Sequence, residues 1–426
     1  MDIDTLERFN TWWRTGKVRA ELVPGYRRHL FAGLQKYLKL RQAILVYGLR
    51  RVGKSTLLYQ LITELLIDEE PLNILYFSFD DRQYGLDDVL DTYQKMVLHS
   101  TFDNTKGKIY IFLDEVQKID DWESKIKVTY DLYPNIKFVL SGSASIALRK
   151  AAKESLAGRI FDFVLNPLSF AEFLDMQGID VQKIKKNPRI WDREMQPLFI
   201  KYIKYGTFPE LVAVKDDEIA IRYINNDVLE KIIYKDLPDS FRINDVALLK
   251  TITDIIARRP GILVDYASIA KDLGKDQRTI ANYIEYLEFG MIVKLVFNFR
   301  GSPVSSRRKL KKAYLQTPNI SFATGERLDT ILPKLYENIV ALATNAKFFY
   351  RNSFETDFVL LEDDSLVGLE VKSSGGDAKQ LLKFKEKYKG KVKKLWLLAD
   401  TDNKAIKGIR TMPLWEYCLF HTVERF

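Results

Sequence analysis

The run Gly48-Leu49-Arg50-Arg51-Val52-Gly53-Lys54-Ser55 fits G-x-x-x-x-G-K-[ST] without a mismatch, and Thr56 follows it into a helical pattern. That spacing makes an anion cradle. Glycines let the backbone turn so that successive N–H groups face one point, and the positive end of the following helix adds to the attraction. Lys54 can then reach the β- and γ-phosphates of a nucleoside triphosphate, and Ser55 can ligate Mg2+. Downstream, the apolar stretch Ile109–Leu113 ends in Asp114-Glu115. Carboxylates at the end of a buried parallel strand lie where ligands bind in such sheets. Asp114 would hold the Mg2+ beside ATP, and Glu115 would orient or activate an attacking water. Ser141, opening Ser141-Gly142-Ser143, can contact the γ-phosphate or the water, or belong to an ordinary turn. Arg159, in Leu156-Ala157-Gly158-Arg159, can complete a neighbouring subunit's site as an arginine finger, or can be a surface arginine.

A second set of residues has different chemistry. Asp357 is followed thirteen residues later by Glu370-Val371-Lys372, and Glu337 precedes both in a helical run. This resembles the PD-(D/E)xK nuclease core, in which carboxylates bind divalent cations and the lysine steadies the hydroxide or the phosphate. Strand alternation puts Glu370 and Lys372 on one face. The same pattern also occurs on solvated strands.

A third set suits nucleic acid. Asp265–Leu273 and a segment from Asp276 through Phe289 read as two helices around Gly274, with Gln277, Arg278 and Asn282 as outward groups. Strand signals at Met291–Val296 and Lys312–Leu315 flank a segment whose basic residues are Arg300, Arg307, Arg308, Lys309, Lys311 and Lys312, with no acidic one. Such a wing suits duplex phosphates. The stretch Lys379–Lys394 carries eight lysines and one glutamate, which fits nucleic acid or a solvated helix face.

The elements that must position these residues follow from apolar runs. Ala43–Tyr47, Asn73–Ser78, Ile109–Leu113, Lys137–Leu140 and Phe161–Leu165 alternate with helical patterns, which indicates a parallel sheet covered on both faces. Residues 170–241 read as mostly helical. The 426 residues, 46% of them hydrophobic, exclude a disordered chain and allow several domains. The balance of 66 basic against 57 acidic residues gives +9 and favours an acidic partner. One cysteine, Cys418, and three dispersed histidines argue against a disulfide framework and a zinc site. An acidic start and the lack of a membrane-length apolar run give the expectation of a soluble cytoplasmic protein with no membrane partner.

The phosphate loop, Leu113-Asp114-Glu115-Val116-Gln117, Ser141-Gly142-Ser143, Leu156–Arg159, Asn166–Phe173 and Tyr205-Gly206-Thr207-Phe208-Pro209-Glu210 together resemble a family of prokaryotic ATPases. Its members join an N-terminal AAA-type domain to a C-terminal domain of unknown function 4143. They usually carry threonine where Ser55 stands, which keeps the hydroxyl, and a glycine pair where Tyr205-Gly206 stands, which bears on the lid's nucleotide contact. The resemblance implies an AAA+ fold with a helical lid, a site shared between subunits of a homo-oligomer such as a hexameric ring, and a restriction-endonuclease-like C-terminal fold. The expected organisation is α/β: an N-terminal helical segment (1–40), a P-loop AAA+ ATPase core (41–168), a helical lid (169–240), a winged helix (241–318) and a PD-(D/E)xK nuclease-like domain (319–426). The expected function is Mg2+-dependent ATP hydrolysis coupled to binding and remodelling or translocation of duplex or branched DNA. The alternatives are a nucleotide-gated switch that binds a protein partner and an ATP-controlled nuclease.

Overall fold

The computed structural model describes residues 1–80, 83–143, 155–302, 310–373, 377–400 and 406–421. They form two compact units that divide between Asn166 and Pro167. No helix among the described residues is long and apolar enough to cross a membrane.

Unit 1 is built on five parallel strands: β1 (Ala43–Gly48), β2 (Ile74–Ser78), β3 (Ile109–Asp114), β4 (Ile136–Ser143) and β5 (Ile160–Val164), in the order β2-β3-β4-β1-β5. Every residue of β3 is buried, as a strand covered on both faces requires. Because all five run the same way, their carboxyl ends share one edge, and Gly48, Asp114 and Ser143 come to it together. The helix Lys54–Leu65 starts there, directly after β1. Ahead of β1, Asn10 closes the free edge of β2: its side chain donates to the Tyr76 carbonyl (2.8 Å) and accepts from the Tyr76 N–H (2.6 Å). A side-chain amide here does the work of a sixth strand for one residue. The buried Lys137 ties the first part of the chain to β4. Its Nζ donates to the carbonyls of Tyr37 (2.8 Å), Leu40 (2.9 Å) and Gln42, and burial pulls it down to about 7.

Unit 2 holds an eight-stranded sheet in the order β13-β12-β11-β10-β9-β7-β8-β6. The strands are β6 (Ile262–Leu263), β7 (Val293–Asn298), β8 (Lys311–Leu315), β9 (Phe348–Arg351), β10 (Glu355–Glu362), β11 (Ser365–Lys372), β12 (Val392–Ala399) and β13 (Arg410–Pro413). Alternation sorts its apolar side chains into two cores. Phe349, Phe358, Trp396 and Leu398 join a core with the helices Asp192–Tyr205, Leu328–Ala343 and Leu414–Phe420. Phe348, Tyr350, Val359, Leu395 and Leu397 join another with the helix Lys379–Lys387.

Three helices, Val246–Arg258, Tyr266–Asp272 and Gln277–Phe289, precede β7. Asp265 and Asp276 cap the last two: Asp265 accepts from the N–H groups of Ala267 and Ser268, and Asp276 from that of Thr279. Gly274 turns between them at φ 62. Strands β6, β8 and β7 then form an antiparallel ribbon. That ribbon does not end at its own edge. The other side of β7 pairs in parallel with β9, so residues on either side of 318/319 share one continuous sheet.

Tyr205–Glu210, expected at a lid's nucleotide contact, is held inside unit 2. Asn319 accepts from the Thr207 N–H (3.0 Å), and its amide donates to the carbonyls of Tyr202 (3.1 Å) and Ile203 (2.8 Å), closing the end of the helix Asp192–Tyr205. A Cβ on Gly206 would lie 2.6 Å from the Phe173 ring.

Candidate functional site

The glycine-rich loop bridges β1 and the helix Lys54–Leu65. Gly53 takes φ 94 and Arg51 φ 65, the left-handed turns that aim consecutive N–H groups toward one point. Gly48 is required for a separate reason. A Cβ there would stand 2.2 Å from the Leu165 carbonyl oxygen, because the chain leaving β5 runs hard against the loop. Lys54 is buried, and its Nζ donates to the carbonyls of Gly48 (3.3 Å) and Leu49 (3.1 Å). The side chain thus already lies along the loop. Arg28 braces the loop from the N-terminal segment: buried, it donates to the carbonyls of Val52 and Asn166, each at 2.7 Å.

Asp114 is the centre of the polar network. Its Oδ2 accepts from the Ser55 hydroxyl (2.5 Å) and from the Tyr76 phenol (3.1 Å); its Oδ1 accepts from the Glu115 N–H (3.0 Å) and from the Ser141 hydroxyl. The carboxylate is 3% exposed, and four donors satisfy its charge there. Tyr76 is raised well above its usual range by burial and by the charge of Asp114, so the phenol stays protonated and donating. Tyr59 packs against it with the rings tilted by 33° and their centroids 4.5 Å apart.

Glu115 sits beside this network at φ 56, a conformation uncommon for a residue with a side chain. Gln117 donates to its carboxylate. Ser55, Asp114, Glu115 and Lys54 therefore meet at one edge of the sheet. Ser141 meets them as well, but in a different role from direct phosphate contact. It is fully buried, and its hydroxyl proton is spent on Asp114.

Arg159 does not join them. It precedes β5, and its carbonyl accepts from the Ala43 N–H at the start of β1, the opposite end of the sheet from Gly48. Its guanidinium forms a two-pronged pair with Asp131 (2.8 and 3.0 Å). Arg28, Tyr59 and Tyr76 are contributors that motif spacing did not reveal, and Gln117 falls within the Leu113–Gln117 motif without a role of its own there. Tyr76 lies inside an apolar strand and reads there as core.

In unit 2, Gln277, Arg278 and Asn282 are exposed on one helix. Two of the basic wing residues are committed elsewhere. Lys311 is half-buried, with Nζ 3.1 Å from the Tyr266 hydroxyl. Lys312 is buried and corrects the expectation of a phosphate contact: alternation along β8 turns it inward, onto Glu355 at 2.6 Å. Arg300 is half-buried near Tyr388. Arg307, Arg308 and Lys309 lie outside the described residues.

The nuclease-like residues are brought together. Asp357 is pushed up to about 8 by burial and by the charges of Glu370 and Glu337. Glu370, also raised by burial, pairs with Lys372 at 2.8 Å.

Comparison with known proteins bears on unit 1 first. Residues 40–174 match the family model described as an AAA domain. Unit 1 is a parallel-sheet α/β core of AAA type. Residues 196–320 match a different model from the one the motifs suggest, a domain of unknown function designated DUF8612. An uncharacterized protein of Methanocaldococcus jannaschii, MJ1544, is 27% identical over 336 residues, covering 75% of this chain and 72% of its own. Among solved structures, Cdc6p from Pyrobaculum aerophilum is 14% identical, with 72% of this chain and 97% of that chain covered at a TM-score of 0.29. PCH-2 of C. elegans is 14% identical at a TM-score of 0.27; 43% of this chain and 52% of that one are covered. Likeness at those scores is too slight to carry function.

Proposed function

We propose that the chain is an ATPase that couples Mg2+-dependent ATP hydrolysis in unit 1 to binding and remodelling or translocation of DNA, duplex or branched, by unit 2. The observation that carries the nucleotide half is the meeting of Ser55 and Asp114 within one hydrogen bond, beside the glycine loop. A hydroxyl and a carboxylate that close can share one hard cation, and Mg2+ there would neutralise charge on the phosphates. Lys54 would exchange the loop carbonyls for phosphate oxygens. Glu115 would take a proton from the attacking water as its oxygen bonds to the γ-phosphorus. The bond from that phosphorus to the bridging oxygen breaks, releasing ADP and phosphate. Ser141 and Tyr76 keep Asp114 oriented. Arg159, at the far end of β1 from its own cradle, would act on the site of a neighbouring copy, which makes the working form a homo-oligomer such as a hexameric ring. A cytoplasmic location suits this reading.

The DNA half rests on the three helices and the ribbon β6-β8-β7 read as a winged helix. Gln277, Arg278 and Asn282 would face the groove, and Arg300, Arg307, Arg308 and Lys309 the phosphates. Two experiments test the reading. Lys54→Ala should abolish nucleotide retention, and Glu115→Gln should keep ATP bound while turnover falls by about 10²–10⁴-fold. Undiminished turnover in Glu115→Gln removes the water-activating role. DNA binding should weaken steeply with salt, and an affinity indifferent to salt removes the DNA half. One observation favours a second reading, a nucleotide-gated switch for a protein partner: the inward commitment of Lys311 and Lys312 shrinks the basic wing.

A further inference from the structure

Glu115 has one carboxylate oxygen held by a neighbour. Gln117 donates from Nε2 to its Oε2. Among the described residues Oε1 accepts no hydrogen bond. The amide itself is oddly placed. Its own Oε1 is buried and has no hydrogen-bond partner, which is rare for a buried carbonyl. Turning the amide end for end would set that oxygen against the carboxylate, two acceptors facing each other. The amide therefore keeps the orientation that the charge of Glu115 dictates and leaves its other end unsatisfied.

The backbone gives this contact a rigid base. Glu115, at φ 56, opens the tight turn Val116–Lys118, which returns the side chain two residues on to a place beside its own. The Lys118 N–H donates to the Glu115 carbonyl (3.0 Å) and the Ile119 N–H to the Val116 carbonyl (3.1 Å). Val116 is fully buried in the core of unit 1. Lys118 Nζ donates to the Asp80 carbonyl (3.2 Å) and pairs with the Asp80 carboxylate. The turn is thus pinned on both sides of Gln117.

We infer that Gln117 is the positioning residue for Glu115: its amide clamps Oε2 and leaves Oε1 as the oxygen that receives the proton of the attacking water. This rests on the reading of Glu115 as the water-activating base. A neutral donor restrains the carboxylate without cancelling its charge, and a hydrogen bond to the ionised form favours that form. Holding one oxygen in advance removes a freedom that would otherwise be lost on the way to the transition state.

The test is steady-state ATP turnover by the full chain, with ATP retention and thermal unfolding measured alongside. Gln117→Leu keeps the bulk and removes the donor. It should lower kcat by about 10–100-fold and leave KM and ATP retention as in wild type. Glu115→Gln/Gln117→Leu should turn over no more slowly than Glu115→Gln alone, because a clamp has nothing to position once the base is gone. A further fall in the double variant, or a loss carried by KM, marks Gln117 as a structural residue and overturns the inference. So does wild-type kcat in Gln117→Leu when Glu115→Gln is slow, and that result leaves the role of Glu115 standing. Undiminished turnover in Glu115→Gln removes the base, and the clamp with it. Should Gln117→Leu not fold, Gln117→Asn, one methylene shorter, carries the same expectation.

Discussion

Tyr76→Phe isolates the support of Asp114, the proposed Mg2+ ligand, from Asp114 itself. The substitution removes one oxygen and keeps the ring, so the packing on Tyr59 and the Asn10 contacts to the backbone of residue 76 survive. What disappears is a 3.1 Å hydrogen bond to the buried Oδ2 of Asp114, the same oxygen that faces Ser55, together with the side-chain hydrogen bond to Tyr59. A hydrogen bond to a charged group contributes roughly 1.5–3 kcal/mol, and about 1.4 kcal/mol is a factor of ten. Losing an outer partner of a metal-holding side chain typically costs about 10–100-fold in affinity or activity. The expected result is therefore a rise of about 10–100-fold in the Mg2+ concentration that half-saturates ATP turnover. Turnover at saturating Mg2+ should fall less, because Glu115 and Lys54 are untouched. The assay is phosphate release across a Mg2+ titration, with thermal unfolding run in parallel. Because burial and the Asp114 charge hold the Tyr76 phenol far above neutrality, the defect should be constant from pH 6 to 9. An unchanged Mg2+ midpoint in a folded Tyr76→Phe protein would refute the assignment of Asp114 as the supported ligand.

Further outcomes follow from other parts of the chain. Gly48→Ala forces a Cβ against the Leu165 carbonyl and should lower stability by about 3 kcal/mol or more, read as a loss of denaturant midpoint. Asp357 keeps its proton in the folded state up to about pH 8, while the unfolded chain releases it near the ordinary carboxylate value of 3.8. The folded state then binds more protons across that window, so stability contributed by this group falls as pH rises through it. Asp357→Asn should flatten the decline, and an unaltered pH profile would count against the buried acid. Arg159→Ala should lower turnover while Asp131→Asn leaves it intact if the arginine serves a neighbouring site. Equal losses in both would mark the pair as structural. A mixed titration of wild-type and Arg159→Ala subunits reads the same distinction.

The glycine loop, the acidic pair after β3 and the five apolar runs are local patterns, and each can be read in the chain because it is written within a few consecutive residues. Gly53-Lys54-Ser55 announces a turn into a helix whatever surrounds it, and five near-continuous apolar strands between helices admit little but a covered parallel sheet. Caps do the same for Asp265 and Asp276, whose side chains bond within three residues.

Contacts distant in sequence were decided by the folded chain. Tyr76 reads as core until the β2–β3 pairing sets it beside Asp114, 38 residues away. Ser141 follows Leu140, which stands opposite Leu113 of β3, and so spends its hydroxyl on Asp114. Arg159 falls at the far end of β1 only because β5 pairs with β1 in parallel register. Lys312 belongs to a basic run in one dimension and to a carboxylate cluster in three. The pairing of β7 with both β8 and β9 carries its strand into the neighbouring segment, where alternation leaves the ammonium facing Glu355 instead of solvent. Motifs fix which chemistry a chain can attempt; strand order and register fix which charges meet, since electrostatic and hydrogen-bond energies depend on distances that no local pattern contains.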